Sequence, residues 1–133
     1  EDASLLQALA DEFPAARLVR DDDRLAPWVA AIRDHLGGLR ADLDLPLDVI
    51  GTAFQQRVWA ELRKIPYGQT RTYTQVAAAI GQPAAVRAVA HACASNPAAL
   101  LTPCHRVVRS DGSLGGYRWG LQRKQALLKG EKR

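Results

Sequence analysis

Residues 72–95 read TYTQVAAAIGQPAAVRAVAHACAS, and this stretch decides the fold. Thr72 and Gln75 stand three positions apart at its start, which is the spacing of a capping box, and they predict a short helix that ends at Gly81. Thr52 and Gln55 have the same spacing and predict the start of an earlier helix. A second, alanine-rich helix is predicted over residues 84–95. A short helix, a tight glycine turn and another helix are the pattern of a helix-turn-helix, although an ordinary helical hairpin has the same pattern.

The second predicted helix carries one long cation among small side chains. Arg87 lies between alanines that include Ala88. Small side chains let a helix approach a nucleic-acid groove closely, but they also let two helices pack closely. The pattern alone therefore leaves DNA binding and simple helix packing both open.

Charge is distributed unevenly around this stretch. Residues 1–50 carry five arginines against eleven acids, whereas residues 51–133 carry thirteen Lys and Arg against three acids. The first half is therefore net −6 and the second net +10. A basic half of this kind is a candidate for a polyanionic partner.

Length and composition exclude several classes of protein. The chain has 133 residues, of which 47% are hydrophobic and 24% charged, and this is the range of a globular domain rather than a disordered segment. No apolar run reaches the roughly 18–20 residues that a membrane span needs, so no membrane partner is expected. The two cysteines and three histidines show no zinc-ligand spacing, so no metal is expected. The absence of methionine indicates an excised piece of a longer protein, and the cysteine content indicates a reducing, intracellular setting.

The acidic half is predicted to be helical. Helices are expected over residues 3–13 and 24–36, because apolar residues recur there at helical spacing. Residues 43–50 alternate and are predicted to be an extended connection or an edge strand. We place the boundary between two regions here, with one over 1–45 and the other over 46–133.

The chemistry of the basic half concentrates near its end, ahead of a predicted basic helix over residues 121–129. Cys104 and His105 are adjacent, as expected for a thiolate nucleophile whose proton is drawn off by an imidazole. Neighbouring side chains on a strand point to opposite faces, so a bridging water or a turn would be needed to join them. An inert, buried cysteine beside a surface histidine remains the alternative, and Cys93 is expected to pack as a small hydrophobe.

The whole string around these two residues is more specific than the pair. The run Pro103-Cys104-His105-Arg106-Val107 resembles the PCHRV active-site signature of the O6-alkylguanine-DNA alkyltransferases, also called methylated-DNA–protein-cysteine methyltransferases. Further stretches that resemble this family, in the right order, are residues 51–59, Thr72-Tyr73, the run from Arg87 to Asn96-Pro97, and residues 116–120. The last of these, GYRWG, is most similar to the carboxyl-terminal domain of the bacterial Ada response protein. Residues 46–131 are identified as a member of the family.

The resemblance implies a catalytic set. Cys104 would accept the alkyl group irreversibly from O6 of guanine, and also from O4 of thymine, without a cofactor. His105 would act on the thiol through a water, and Glu131 would orient its imidazole. Asn96 would hold the turn between the second helix and an active-site strand. Tyr73 would hydrogen-bond the purine or the phosphate of the flipped nucleotide and help to neutralise the guanine leaving group.

The resemblance also implies the contacts to DNA. Arg87 would enter the duplex from the minor groove, where the extruded guanine had been, with Ala88 beside it and Arg106 as a further DNA contact. A buried target atom requires this flipping, which costs a few kcal/mol of unstacking. Other contacts would go mostly to phosphates, with little sequence preference.

The base pocket is implied to consist of five residues: Tyr117, Arg118, Trp119, Val107 and Lys124. Tyr117 would stack on the base, and Lys124 would lie near the tyrosine or the nucleotide. Trp119 would narrow the pocket, so that methyl groups are accepted and benzyl groups are accepted poorly.

The implied fold is mostly α with small β elements. It consists of a helix-turn-helix domain of winged-helix type, preceded by the helical remnant of an α/β subdomain. The implied partner is double-stranded DNA containing O6-alkylguanine, bound by a monomer in the bacterial cytoplasm at the nucleoid. The alternatives are a damaged-base-binding protein that transfers nothing, a helix-turn-helix regulator and a cysteine hydrolase. Cys104 argues against the first, and no residue with a triad role is evident for the last.

Overall fold

Residues 2–41 and 43–132 are described by a computed structural model, and within them six α-helices and one two-stranded sheet make up most of the regular structure. The helices are α1 (Asp2–Glu12), α2 (Asp22–Leu36), α3 (Ala53–Leu62), α4 (Tyr73–Ala79), α5 (Val86–Ala94) and α6 (Leu121–Glu131). The strands are β1 (Arg71–Thr72) and β2 (Val107–Val108), and a 3-10 turn spans Cys104–Arg106. The prediction of a mostly helical chain with small β elements is confirmed.

Two capping boxes start α3 and α4 as predicted. In each box the threonine hydroxyl accepts from the backbone N–H of the glutamine three residues on, and the glutamine side chain accepts from the threonine N–H, at 2.9–3.1 Å. Both reciprocal bonds satisfy N–H groups that a helix start otherwise leaves unpaired. The box at Thr72 therefore fixes the position of Tyr73, the first residue of α4.

Helices α3, α4 and α5 pack around the apolar core of the basic half. Val58 and Val89 are completely buried, and the indole of Trp59 donates to the carbonyl of Ala92 at 2.9 Å. The core also includes Leu62, Ile65, Val76, Ala77, Ile80, Cys93, Cys104 and Val107. The cysteine at position 104 is thus held against the main core rather than on a surface loop.

The small sheet joins distant parts of the chain at this core. Strands β1 and β2 run parallel, with Arg71 opposite Val107 and Thr72 opposite Val108. This pairing brings the start of α4 beside the 3-10 turn. Tyr73 and Cys104, which are far apart in sequence, consequently meet at one site.

The acidic half agrees with its prediction. Helices α1 and α2 lie within two residues of their predicted bounds, and residues 43–50 form a connection rather than a strand, which is one of the two alternatives that the sequence left open. An alternating pattern forms a strand only where a neighbouring strand is available to pair with it. Many apolar side chains of the two helices, including Leu5 and Trp28, are exposed. Within the described residues, no helix is long and apolar enough to cross a membrane.

Candidate active site

Cys104 lies at the base of a cavity of about 630 Å³ and is only 3% exposed. It begins the 3-10 turn that precedes β2, so the predicted active-site strand starts only after the cysteine. The strict alternation of faces along a strand therefore does not separate the cysteine from the histidine that follows it. A turn, one of the two means by which the sequence analysis allows these side chains to share a site, is present at this point.

Asn96 connects the end of α5 to the cysteine. Its amide donates to the carbonyl of Thr102 at 2.8 Å and to the sulfur of Cys104 at 3.2 Å, while its own oxygen accepts from the N–H of Ala98 at 2.9 Å. The side chain is completely buried. Asn96 thus fixes the intervening loop, as predicted, and also contacts the sulfur directly.

Burial raises the pKa of the Cys104 thiol above its ordinary value, and the Asn96 hydrogen bond and the nearby Lys124 charge offset this only in part. The thiol is therefore protonated at neutral pH. A protonated thiol is a poor nucleophile, so attack requires a base that removes the proton.

His105, the next residue in the chain, is the candidate for such a base. Its Nε2 lies 2.8 Å from an oxygen of Glu131, and the imidazole is completely buried. Its Nδ1 has no hydrogen-bond partner within residues 2–41 and 43–132. With the Nε2 proton on the carboxylate side, Nδ1 presents a lone pair that can accept a proton.

Glu131 is the point at which the buried charges meet. Arg106 donates to the carboxylate through Nε and Nη2 at 2.9–3.1 Å, and the N–H of Gly68 donates at 3.3 Å. Burial alone would raise the pKa of Glu131, but the hydrogen bonds from His105 and Arg106 outweigh it and lower that pKa to about 2. The carboxylate is consequently ionised at any physiological pH.

The prediction that Arg106 contacts DNA is wrong. Its side chain is 8% exposed, two of its nitrogens bind Glu131, and its Nη1 donates to the carbonyl of Ile65 at 2.8 Å. Three of the five N–H donors of the guanidinium are thus engaged, and the buried side chain cannot turn outward to a phosphate without breaking these bonds. Its role is to hold the carboxylate that in turn holds His105.

Tyr73 lines the same cavity from the start of α4 and is 8% exposed. Burial raises its pKa to about 12, so its hydroxyl keeps its proton and is able to donate it. The ring lies over Gly115, where a Cβ would come within 2.9 Å of the ring edge and of the hydroxyl. Gly115 also has a φ of +71°, so both space and backbone require glycine there.

Arginines surround the opening of the cavity. Arg87, Arg109 and Arg118 line it, and all three are exposed. Arg87 and Ala88 lie on the exposed side of α5, as a DNA contact requires. Arg118 is partly engaged, since it donates to the carbonyl of Asn96 at 3.3 Å and stacks over the Trp119 ring at 5.2 Å. Arg109 was not predicted, although its position five residues after Cys104 in the basic half was a usable signal.

The wall of the cavity matches the predicted pocket only in part. Tyr117 lines it as predicted, together with four residues from α5 that the sequence did not assign to the pocket: Val86, Ala90, Cys93 and Ala94. Burial raises the pKa of Cys93 to about 12, so this second thiol is also protonated. The alanines of α5 thus border the cavity as well as the solvent.

Three predicted pocket residues lie behind the wall rather than on it. Val107 is completely buried in the core. Lys124 is also completely buried and donates to the carbonyls of Val107 at 2.6 Å, of Gly116 at 3.2 Å and of Leu114, with its ammonium 5.8 Å from the centre of the Tyr73 ring. Lys124 thus lies near Tyr73, as predicted, but its hydrogen bonds hold the loop that follows β2. Trp119 packs edge-on against Tyr117 at 5.3 Å and borders a separate apolar groove, so it does not narrow the cavity directly.

Comparisons with known proteins agree with this geometry. Residues 53–133 match the family described as 6-O-methylguanine DNA methyltransferase, DNA binding domain. The chain is 52% identical to the bifunctional transcriptional activator/DNA repair enzyme Ada of Escherichia coli, over 98% of its own length and 37% of the length of that relative. It is 48% identical to the inducible methylated-DNA–protein-cysteine methyltransferase of Bacillus subtilis, over 91% of this chain and 68% of that one.

A solved structure is similar as well. The crystal structure of Mycobacterium tuberculosis OGT in complex with DNA superposes with a TM-score of 0.77 at 48% identity, over 78% of this chain and 63% of that chain. The present chain thus spans only about a third of the Ada relative and less than two thirds of the OGT chain.

Proposed function

The chain belongs to the 6-O-methylguanine DNA methyltransferase family, and from this premise we propose that it repairs DNA by moving an alkyl group from O6 of guanine to Cys104. The transfer is irreversible, and each protein molecule acts once. The observation that carries the proposal is the buried Cys104 thiol at the base of a cavity, with the His105–Glu131 pair beside it in sequence and Tyr73 on the cavity wall.

The proposed reaction starts with removal of the thiol proton. His105 Nδ1 accepts it through a bridging water, and the Nε2–H to Glu131 carries the developing positive charge of the imidazole. The ionised carboxylate favours the imidazolium, since an opposite charge in direct contact stabilises the charged form. Asn96 and Lys124 favour the thiolate that remains.

The thiolate then displaces guanine from its methyl group. The sulfur forms a bond to the methyl carbon while the bond from that carbon to O6 breaks, and the electron pair of that bond stays with guanine. The hydroxyl of Tyr73, which keeps its proton because of the raised pKa, donates to the leaving base. In the overall balance one proton passes from sulfur to guanine, and a thioether without a good leaving group remains on Cys104. No cofactor is required in this scheme.

DNA is proposed to bind along α4 and α5, which act as a helix-turn-helix of winged-helix type. Support comes from the exposed Arg87 and Ala88 on α5 and from the arginines at the opening of the cavity. A cavity that ends at a buried thiol can be reached only by a base taken out of the stack. Arg87 is the long side chain next to the cavity that is able to fill the gap in the duplex.

The remaining features of the proposal concern organisation. Residues 1–45 and 46–133 form two regions, of which the second holds the cysteine and the DNA contacts. The protein acts as a monomer, because one cavity and one thiol complete the reaction. A substrate in chromosomal DNA implies activity in the bacterial cytoplasm at the nucleoid. O4-alkylthymine is a second proposed substrate.

Intact mass and peptide mapping test the proposal. The protein is incubated with a duplex carrying one O6-methylguanine, and we expect a gain of one methylene unit on the Cys104 peptide at one-to-one stoichiometry. Cys93→Ala is the matched control that should still react, and Cys104→Ala should not. Tight binding of the lesion without mass gain would instead identify a damage-sensing module. Preference for one DNA sequence without a lesion would identify a regulator.

A further inference from the structure

His35 is a buried titratable residue that the proposed reaction does not use. It lies in the last turn of α2, in the acidic half, and is only 4% exposed. Most other large side chains of α2, such as Trp28 and Leu36, are exposed. The burial of His35 therefore marks a place where the acidic half contacts the basic half.

The contacts of His35 lead to one residue of the basic half. Its Nδ1 bonds to the carbonyl of Arg40 at 2.9 Å, and its ring meets Tyr67 edge-to-face, with ring centres 5.4 Å apart and planes at 78°. Burial lowers the pKa of His35, although the Arg40 carbonyl and Glu131 act in the opposite direction and Arg106 and His105 in the same one. His35 is therefore neutral at physiological pH, and it holds Tyr67 by packing.

Tyr67 in turn contacts the residues that hold Glu131. The guanidinium of Arg106 lies over its ring, 5.6 Å from the ring centre, and the next residue along the chain, Gly68, donates its N–H to Glu131. Arg106 binds the carboxylate through two nitrogens. The turn that carries Tyr67 thus restrains Glu131 from two sides.

A small cavity of about 70 Å³ lies beside this packing. His35, Tyr67 and Glu131 line it together with residues of α6. Removing the His35 ring would enlarge this space beside the carboxylate and admit more water. Water would weaken the ion pairs of Glu131, because charges interact more strongly in a dry interior than in solvent.

We propose that His35 and Tyr67 are positioning residues for the proton relay, through which the acidic half limits the water beside Glu131 and keeps His105 correctly oriented. The proposal rests on the proposed function, since His105 matters as a base only if Cys104 is the acceptor. It assigns to residues 1–45 an effect on the chemistry that is separate from any contact with DNA.

The test compares two substitutions of one side chain. His35→Ala removes both contacts, whereas His35→Phe keeps the ring against Tyr67 and loses only the bond to Arg40, an exposed residue whose carbonyl can bind water instead. Arg33→Ala, an exposed change on the same helix, is the matched control. The measurements are the single-turnover rate of methyl transfer at saturating duplex across pH, the affinity for duplex, and the thermal unfolding temperature.

We expect His35→Ala to slow transfer about tenfold, which is less than the roughly 100-fold cost of misplacing reacting groups by about 1 Å. Its pH–rate profile should move to higher pH, because hydroxide in bulk water then competes with a weakened relay. Affinity for duplex should stay within about twofold, since the DNA contacts lie on α4 and α5. His35→Phe should recover most of the rate, and Arg33→Ala should match the wild type.

Three results would overturn the proposal: transfer by His35→Ala at the wild-type rate, a slower rate with an unchanged pH profile, or a His35→Phe that is as slow as alanine. If His35→Ala does not fold, Tyr67→Leu tests the relay through the same measurements, with wild-type transfer again counting against the proposal. Failure of the proposed function is recognised separately, because the wild type would then transfer no methyl group. Alkylation of Cys104 by iodoacetamide across pH, mapped by peptide mass, would still compare the variants in that case.

Discussion

Replacing Glu131 with glutamine should destabilise the protein by about 3 kcal/mol, and two lines of reasoning agree on this magnitude. The fall in the pKa of Glu131 from an ordinary 4.5 to about 2 corresponds to about 3 kcal/mol of preference for the ionised form in the folded state. Removing one partner of a buried ion pair costs about 3–5 kcal/mol, because the other charge stays buried without compensation. Here that remaining charge is Arg106, whose side chain is 8% exposed.

The assay is thermal and denaturant unfolding of the Glu131→Gln variant. For a domain of this size, about 3 kcal/mol should lower the melting temperature by roughly 10 °C. Glu61→Gln is the matched control, since Glu61 pairs with Lys64 at 3.0 Å on the surface, with 72% of the lysine side chain exposed. A surface pair of this kind contributes about 1 kcal/mol or less.

The pH dependence makes the test specific. The folded pKa of Glu131 lies below its unfolded value, so the stability it contributes is fully present above about pH 5 and is lost as the pH falls through about 2. The difference in stability between wild type and Glu131→Gln should therefore shrink across that range. A difference that stays constant with pH, or a loss no larger than that of Glu61→Gln, would refute the argument that an ionised Glu131 holds this site together.

Three further predictions concern the cavity and its surroundings. Arg87→Ala should weaken repair of duplex DNA more than reaction with free O6-methylguanine base, because only the duplex leaves a gap for the arginine; equal losses in a single-turnover assay would contradict this. Gly115→Ala should lower the free energy of unfolding by about 1–3 kcal/mol in denaturant and slow methyl transfer, because its methyl group would lie 2.9 Å from Tyr73 at a φ of +71°. Wild-type stability and rate in this variant would show that glycine is not required at position 115. Lys124→Met should lower the free energy of unfolding by about 2 kcal/mol and speed amide hydrogen exchange in the loop over residues 109–116, because three carbonyl oxygens lose their donor. Unchanged exchange in this loop would show that the lysine does not hold it in place.

Much of the fold could be predicted because its signals are local. A capping box needs only two residues three positions apart, and both boxes formed as predicted. The short sheet gave no such signal. Strands β1 and β2 have two residues each and pair across a long stretch of sequence, so neither shows an alternating pattern. Residues 43–50 do show an alternating pattern, but among the described residues no strand pairs with them.

The residues of the proposed reaction could be named from the sequence, whereas the residues that support them could not. A family signature fixes the order Cys104-His105, and a single acid near the end of a basic region suggests the partner at Glu131. The burial of Arg106 depends on its contact with Glu131, which lies 25 residues later in the chain, and no local sequence pattern indicates such a contact. The position of Lys124 beneath three carbonyls likewise depends on tertiary packing. Both residues count toward the net +10 of the basic half, yet neither is free to bind a phosphate, so the charge available to DNA is smaller than the sequence indicates.

The raised pKa of Cys104 follows from the same burial that makes the site selective. In the proposed reaction the thiol reacts only once and has to be protected from other electrophiles, and a thiol that is 3% exposed and protonated is a poor target for them. Protection and reactivity would conflict if burial acted alone. In the same proposal His105 resolves the conflict, because its Nδ1, which has no hydrogen-bond partner within residues 2–41 and 43–132, takes the proton inside the protein, and Glu131 leaves that nitrogen available by binding the other one. The ion pair with Arg106 therefore serves stability and reaction together, and a change that loosens it should impair both.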